Sequence, residues 1–341
     1  MSLFDRKTAQ VLTTILAFAA SLYLLWSLRV LFFLMVLGML LAYAIEPMIQ
    51  SLQRLDPRRI TRARSIAIVF FVVLLGTGVA AVVLGQMVSI QAAELISQLP
   101  DRSQDPTTAV TVPLPMQLEP YRDEVMRYGS DFARTLANSA IGSLVSAGLA
   151  LLVPIFAFFF LRHASSCRHD LIRFSARFGE AIWLTGLIAD LNILLSNFIR
   201  ALLFQSLAVF IAYGLFYEVM AVPYAILLAT LAAVLELIPV LGWLAAAGAS
   251  LLIVALSGYP HWGWIIVFYI AFRLLQDYVF TPFLMAKGIE LSAFAVIAGV
   301  IGGEMIGGVA GMFLSIPLMA TVKVLYRHWK KREDALAAAH A

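Results

Sequence analysis

Residues 293–326 read AFAVIAGVIGGEMIGGVAGMFLSIPLMATVKVLY, an apolar run in which Glu304 is the one charged residue before Lys323. As one helix rising 1.5 Å per residue it would be roughly 50 Å long, well beyond a bilayer core of ~30 Å. It must therefore tilt, break or fold into a hairpin. Gly302, Gly303, Gly307 and Gly308 flank Glu304 and mark where a break is expected, because glycine tolerates backbone that other residues do not. A competing account exists for the same glycines. Gly299, Gly303, Gly307, Gly311 and Ser315 recur every four residues and make a small-residue stripe for close helix contact. The two accounts differ in whether 302–308 is helical or unwound.

The rest of the chain has the same character. Of 341 residues 62% are apolar and 13% charged, with a mean hydropathy of +0.92, whereas soluble domains run near half apolar and a quarter charged. The fold class is all-α: a polytopic integral membrane protein of about eight membrane-embedded helices, with one or two broken or re-entrant hairpins near the C-terminal half. Candidate helices fall at 11–28, 30–45, 66–85, 141–161, 201–217, 224–238, 243–256 and 263–280, ahead of the 293–326 region. The start, with Arg6 and Lys7 before an apolar run, superficially resembles a secretory signal. The run 11–28 is long enough to span and no small-residue cleavage site follows, so a retained first helix is expected. Cys167 is the single cysteine, which excludes an intramolecular disulfide, and no Cys/His spacing suggests zinc.

Short basic loops stay on the cytoplasmic side. Arg6 and Lys7 precede the first helix, Arg54, Arg58, Arg59, Arg62 and Arg64 follow the second, and Arg162, Arg168, Arg173 and Arg177 follow the fourth. Arg327, Lys330, Lys331 and Arg332 close the chain. All fall on one face of a bacterial inner membrane if both termini are cytoplasmic. Residues 86–139 instead hold seven acids against four arginines and belong outside. The organisation expected is N-terminal transmembrane helices with a cytoplasmic Arg-rich loop at 1–85, and an extracytoplasmic amphipathic cap at 86–140. A transmembrane helix with a cytoplasmic interfacial helix over 162–197 occupies 141–200. A transport core with broken helices follows at 201–326, and a cytoplasmic basic tail at 327–341.

No GxxxxGK(S/T), HExxH or GxSxG occurs, so the local signatures of nucleotide-driven and hydrolytic chemistry are missing. No catalytic residue, cofactor or metal is expected, and the protein reads as a non-enzyme. Ionisable groups inside a membrane cost about 2.5–3.5 kcal/mol at a helix centre on insertion scales and usually face a partner or a wet cavity. Four stand out: Glu236 in LATLAAVLELIP, Arg273 and Asp277 in FRLLQD, and Glu304 in GGEMIGG. Arg273 and Asp277 lie four apart, on one helix face, and can neutralise each other. A structural ion pair and a gating or coupling role both fit them. Glu236 fits either a pathway carboxylate or one that snorkels to the interface. In Leu237-Ile-Pro-Val-Leu-Gly-Trp243, Pro239 removes a donor and Gly242 permits a tight reversal, so the helix is expected to break there. The transport pathway is therefore expected to involve Glu236, Pro239, Gly242, Arg273, Asp277, Gly302, Gly303, Glu304, Gly307 and Gly308.

The order of features resembles the autoinducer-2 exporter family of permease-like transporters. VPYAILLATLAAVLELIPVLGW at 222–243, TPFLMAKGIELS at 281–292 and GGEMIGGVAGMFLSIPLMATVKVLY at 302–326 carry the resemblance. In the last block Gly302, Gly303, Gly307, Gly311, Pro317 and Lys323 match the family pattern. Ile238-Pro-Val-Leu-Gly-Trp243 departs from it, standing where the family commonly reads IPYxGP. The resemblance implies a membrane permease or secondary transporter moving a small solute or ion. Within the family the alternatives are export of autoinducer-2 and sodium or lithium/proton antiport. A non-transporting membrane scaffold is the alternative from another class. Expected partners are the lipid bilayer, a small-molecule or ion substrate and further copies of the chain as a homo-oligomer, with no nucleic acid.

Overall fold

A computed structural model describes residues 6–55, 60–98, 151–177, 181–239, 241–280 and 291–340. Every described element is a helix. The helices are α1 (Arg6–Ser27), α2 (Arg29–Leu55), α3 (Arg62–Gln98), α4 (Leu152–Ala176), α5 (Ala181–Val219), α6 (Ala225–Leu235), α7 (Leu241–Leu256), α8 (Trp262–Leu275) and α9 (Ala293–His340). One π-helical turn, Gln276–Phe280, ends α8. Five of these elements are long and apolar enough to cross a bilayer by length and composition, which accords with the polytopic all-α class. Most of the expected cap, and the 281–290 stretch before α9, lie outside the described residues.

α5 is the axis of the molecule. At 39 residues it is about 58 Å long, nearly twice the bilayer core. This corrects the expectation of a separate interfacial helix over 162–197. Its first part belongs to α4, and residues 181–197 continue into the span without a proline to stop them. A second correction concerns the N-terminus. Leu28 N donates to Leu24 O, and Phe32 N to Leu28 O, so helical bonding runs through the junction and the reversal expected between two successive spans is absent. Ser27-Leu28-Arg29 offers neither glycine nor proline to break it. Arg6 and Arg54 therefore sit at opposite ends of one helical stretch.

Around α5, a cluster of buried side chains from α3, α5, α6, α7 and α8 forms the largest core, including Tyr213, Tyr217, Leu228, Ile253 and Ile265. The turn from α5 into α6 is strained, with Ala221 at φ 51° and Tyr224 at φ 60°, a left-handed conformation that side chains other than glycine rarely adopt. Two contacts hold it. Tyr259 Oη donates to Met220 O at 2.6 Å, and Gln91 of α3 accepts from Leu227 N at 2.8 Å, satisfying one of the amides that a helix start leaves without a partner.

α6 then runs back along α5. Ser206 Oγ donates to Ala233 O at 2.8 Å, and a Cβ on Gly214 would lie 3.7 Å from Ala229 Cβ. With 11 residues, α6 is about 16 Å long and cannot cross the core, so α6 and α7 form a hairpin whose turn lies opposite the middle of α5.

Candidate functional site

Three interruptions of helical backbone stand out, two beside the middle of α5 and a third joined to them through Phe33. The first is the turn between α6 and α7. Glu236 N still bonds Ala232 O, but Leu237 N and Ile238 N reach only three residues back, to Val234 O and Leu235 O. Pro239 has no N–H to continue the ladder, and Gly242 N closes on Ile238 O. Gly242 earns its place by close approach: a Cβ there would overlap the Leu235 carbonyl, lying 2.6 Å from its carbon. The expected break is present, and glycine is what lets the two helices meet.

The second interruption is the π-turn Gln276–Phe280, a geometry that recurs at functional sites. It ends with Phe280 edge-on to Phe204 of α5, ring centroids 5.6 Å apart.

The third lies within α9, where Gly307 (φ −136°, ψ 15°) and Gly308 (φ 58°, ψ −142°) leave helical geometry. The chain reverses there. Gly303 and Gly311 would be about 12 Å apart in a straight helix, yet a Cβ on Gly303 would lie 2.7 Å from the Gly311 carbonyl carbon. A Cβ on Gly299 would likewise overlap the Met319 sulfur. Residues 293–306 and 309–340 are thus the two arms of a hairpin. Both readings of the glycines hold, at different positions: Gly307 and Gly308 make the break, while Gly299, Gly303 and Gly311 let the arms touch.

One apolar cluster joins the two hairpin turns. Leu40, Leu195, Ile199, Leu202 and Leu314 form it, and both Leu237 of the first turn and Phe33 pack against it. Phe33 in turn abuts Gly307, where a Cβ would overlap its ring.

Polar chemistry gathers at the first turn and the π-turn. Gln276, almost fully buried, donates from Nε2 to Glu236 Oε1 at 3.0 Å. Arg273 grips Asp277 through two contacts of 3.0 Å, Nε to Oδ2 and Nη2 to Oδ1, and its guanidinium stands 5.2 Å from the centre of the Trp243 ring. Acid, amide, guanidinium and second acid thus occupy one small region, with Gln276 and Asp277 of the π-turn three and four residues beyond Arg273 of α8. The expected neutralisation of Arg273 by Asp277 is present. Glu236, Pro239, Gly242, Arg273 and Asp277 come together, whereas Glu304 does not join them. It lies exposed on the first arm of α9 beside exposed Ile301, Met305 and Ile306.

Sequence reasoning missed Gln276 and Trp243 as members of this group. It also missed a buried ring of hydroxyls on the same α5–α8 seam. Tyr217 Oη lies 3.1 Å from both Ser250 Oγ and Tyr269 Oη, and these two are 2.9 Å apart. Three hydroxyls with three protons close such a triangle, each donating once and accepting once. Tyr213 stands edge-on to Tyr217, Tyr269 and Phe272 and links the ring to the Arg273 end of α8. The four-residue spacing of Tyr213 and Tyr217 was the available signal.

The AI-2E family transporter model matches residues 12–331. YueF of Bacillus subtilis (strain 168), whose name assigns it to transport, is 22% identical over 316 residues, covering 87% of this chain and 83% of YueF. YrrI of the same organism, also assigned to transport by name, is 22% identical over 142 residues, 42% of this chain and 40% of YrrI. A protein of Buchnera aphidicola subsp. Schizaphis graminum (strain Sg), likewise assigned to transport, is 30% identical over 164 residues, 48% of this chain and 43% of its own length. Two of the three relatives are therefore matched over less than half their length. With the family matched over nearly the whole chain, and with five helices long and apolar enough to cross a membrane, the chain belongs to the AI-2E family of multi-pass membrane transporters.

Proposed function

We propose that this transporter moves a small solute or ion across a bacterial inner membrane past Glu236, with Arg273 and Asp277 tuning the charge of the path. The observation that carries the reading is the meeting of the α6–α7 turn and the π-turn beside the middle of α5, which brings together an acid, an amide and a guanidinium–carboxylate pair, with the second hairpin joined to them through Phe33. Backbone of this kind survives at membrane depth only against protein or a wet cavity, and in transporters interrupted helices near the midplane commonly hold the solute. Thr230 Oγ1 on α6 adds a buried hydroxyl with no partner among the described residues. Export of autoinducer-2 and sodium or lithium/proton antiport both fit a site that offers donors and acceptors together. Glu304 and the glycines around it form the wall of the second hairpin in this reading. Self-association belongs to the same proposal, supported by the exposed apolar face on which Glu304 stands. A cytoplasmic C-terminus is proposed from Arg327, Lys330, Lys331 and Arg332; with α1 and α2 continuous, Arg6 and Lys7 no longer place the N-terminus on the same side.

The test is flux in proteoliposomes under imposed sodium and proton gradients, with the protein confirmed folded by its melting transition. Glu236→Gln is expected to abolish gradient-dependent flux. Flux that survives unchanged removes Glu236 from the path, and no flux from folded wild-type protein under any gradient leaves the scaffold reading.

A further inference from the structure

The second arm of α9 is longer than the membrane needs. From residue 309 to 340 it runs about 48 Å, some 18 Å beyond a ~30 Å core. Its sequence changes where the excess begins. Apolar residues give way to Lys323, Tyr326, Arg327, Lys330 and Lys331, which with Asp334 line a shallow depression of ≈ 300 Å³. Those positions repeat every three or four residues and share one face of the helix. Tyr326 and Trp329 are each 60% exposed at the same level, as aromatic side chains are where a helix leaves the hydrocarbon. The adjoining face is fixed. Asp190 of α5 accepts from Arg327 Nη2 at 3.0 Å and lies 2.9 Å from His328 Nε2, while Trp183 Nε1 donates to His328 O at 3.2 Å. The basic stripe is therefore held in one orientation by α5.

We infer that this depression, lined by Lys323, Tyr326, Arg327, Lys330 and Lys331, is a binding site for the phosphate headgroup of an anionic phospholipid of the inner leaflet. Charge complementarity identifies the occupant: Lys323, Lys330 and Lys331, with Arg327 shared with Asp190, outnumber Asp334 on a helix face where apolar sequence gives way to basic, beside aromatic and aliphatic surface where acyl chains would lie. A zwitterionic headgroup brings no net charge to such a cleft. Asp334, the one acid of the lining, disfavours a polyanion.

Retention of phosphatidylglycerol and of phosphatidylcholine by the full chain, released from detergent into a native mass spectrometer, tests the site. Wild-type protein is expected to keep phosphatidylglycerol and shed phosphatidylcholine. Lys330→Gln with Lys331→Gln is expected to weaken phosphatidylglycerol retention roughly thirtyfold, since each basic residue near an anionic surface contributes roughly fivefold. Asp334→Asn, which removes only the acid, is expected to strengthen it. Arg168→Gln with Arg173→Gln, two exposed arginines of α4 outside the depression, is expected to change nothing. Equal loss in that control would reduce the effect to general surface charge and overturn the site. Retention unaffected by the lysine changes, or displaced by inorganic phosphate at the same concentration, would overturn it as well.

Discussion

Gln276 and Glu236 are 40 residues apart in the chain, yet the amide of one donates to the carboxylate of the other at 3.0 Å, tying the π-turn of α8 to the turn between α6 and α7. Glu236 is only partly buried, while Gln276 is almost completely so. The amide thus delivers a fixed donor to an acid that water or a solute can still approach.

Replacing Gln276 by Leu keeps the volume and removes the donor. Loss of a partner from a partly buried carboxylate is expected to destabilise the fold by roughly 1–2 kcal/mol. Thermal unfolding in detergent reads the effect. Glu236→Gln in the same protein should recover part of the loss, because the charge left without its donor is then gone. Strict additivity of the two changes would mean that the pair contributes nothing as a pair.

The glycines of α9 separate by mechanism. A Cβ on Gly311 would overlap the Gly303 carbonyl, whereas one on Gly302 meets nothing within 4 Å. Gly311→Ala is expected to spread the arms and cost about 1–3 kcal/mol, as overpacking does. Gly302→Ala, in the helical part of the first arm, should be neutral or slightly stabilising, since alanine favours a helix by up to ~1 kcal/mol over glycine. Gly308 at φ 58° has open space around it and is still expected to resist alanine, because its backbone is one that a side chain disfavours. Spin labels at residues 297 and 322 would report the spacing of the arms in each variant.

These particulars show how far sequence reaches. The apolar runs, the break at Pro239 and the Arg273–Asp277 pair were legible because local spacing and side-chain chemistry dictate them. The α9 glycines were legible as a feature but not as a choice between break and contact stripe, since the missing Cβ serves both. Only the approach of Gly303 to Gly311 separates the roles. Hydropathy measures how long a segment is and not whether the chain turns after it, which is why α1 and α2 read as two spans. Gln276 gave no signal, because a neutral amide becomes part of a site only through a partner that the fold brings to it.

The hydroxyl triangle predicts an uneven response to deletion. Tyr217→Phe, Tyr269→Phe and Ser250→Ala each break two of its three contacts, and each is expected to cost about 1 kcal/mol, or up to ~2 where a hydroxyl is left unsatisfied in the core. Once one hydroxyl is gone the other two retain a single bond between them, so a second deletion should cost less than the first. Melting temperatures of the single and double variants give the coupling directly. Equal, additive losses would indicate three independent bonds.

At the other end of α5, Asp190 binds Arg327 and His328 through the same oxygen, Oδ2. The pair with Arg327 is half exposed on both sides, and such pairs contribute at most about 1 kcal/mol. Packing is the stronger hold. His328 is mostly buried, its carbonyl takes the Trp183 indole N–H, and its ring lies 3.4 Å from where a Cβ on Gly186 would stand. Asp190→Asn is therefore expected to lower stability only slightly, because the amide oxygen still accepts a hydrogen bond. Gly186→Ala should be tolerated, at a separation the imidazole can relieve by a small shift. Gly186→Leu cannot be accommodated without displacing His328, and it should release the end of α9 from α5. Hydrogen exchange over 326–334 measures the release: little change for the first two variants, and faster exchange for Gly186→Leu. If Asp190→Asn alone freed the helix, charge rather than shape would be what docks it.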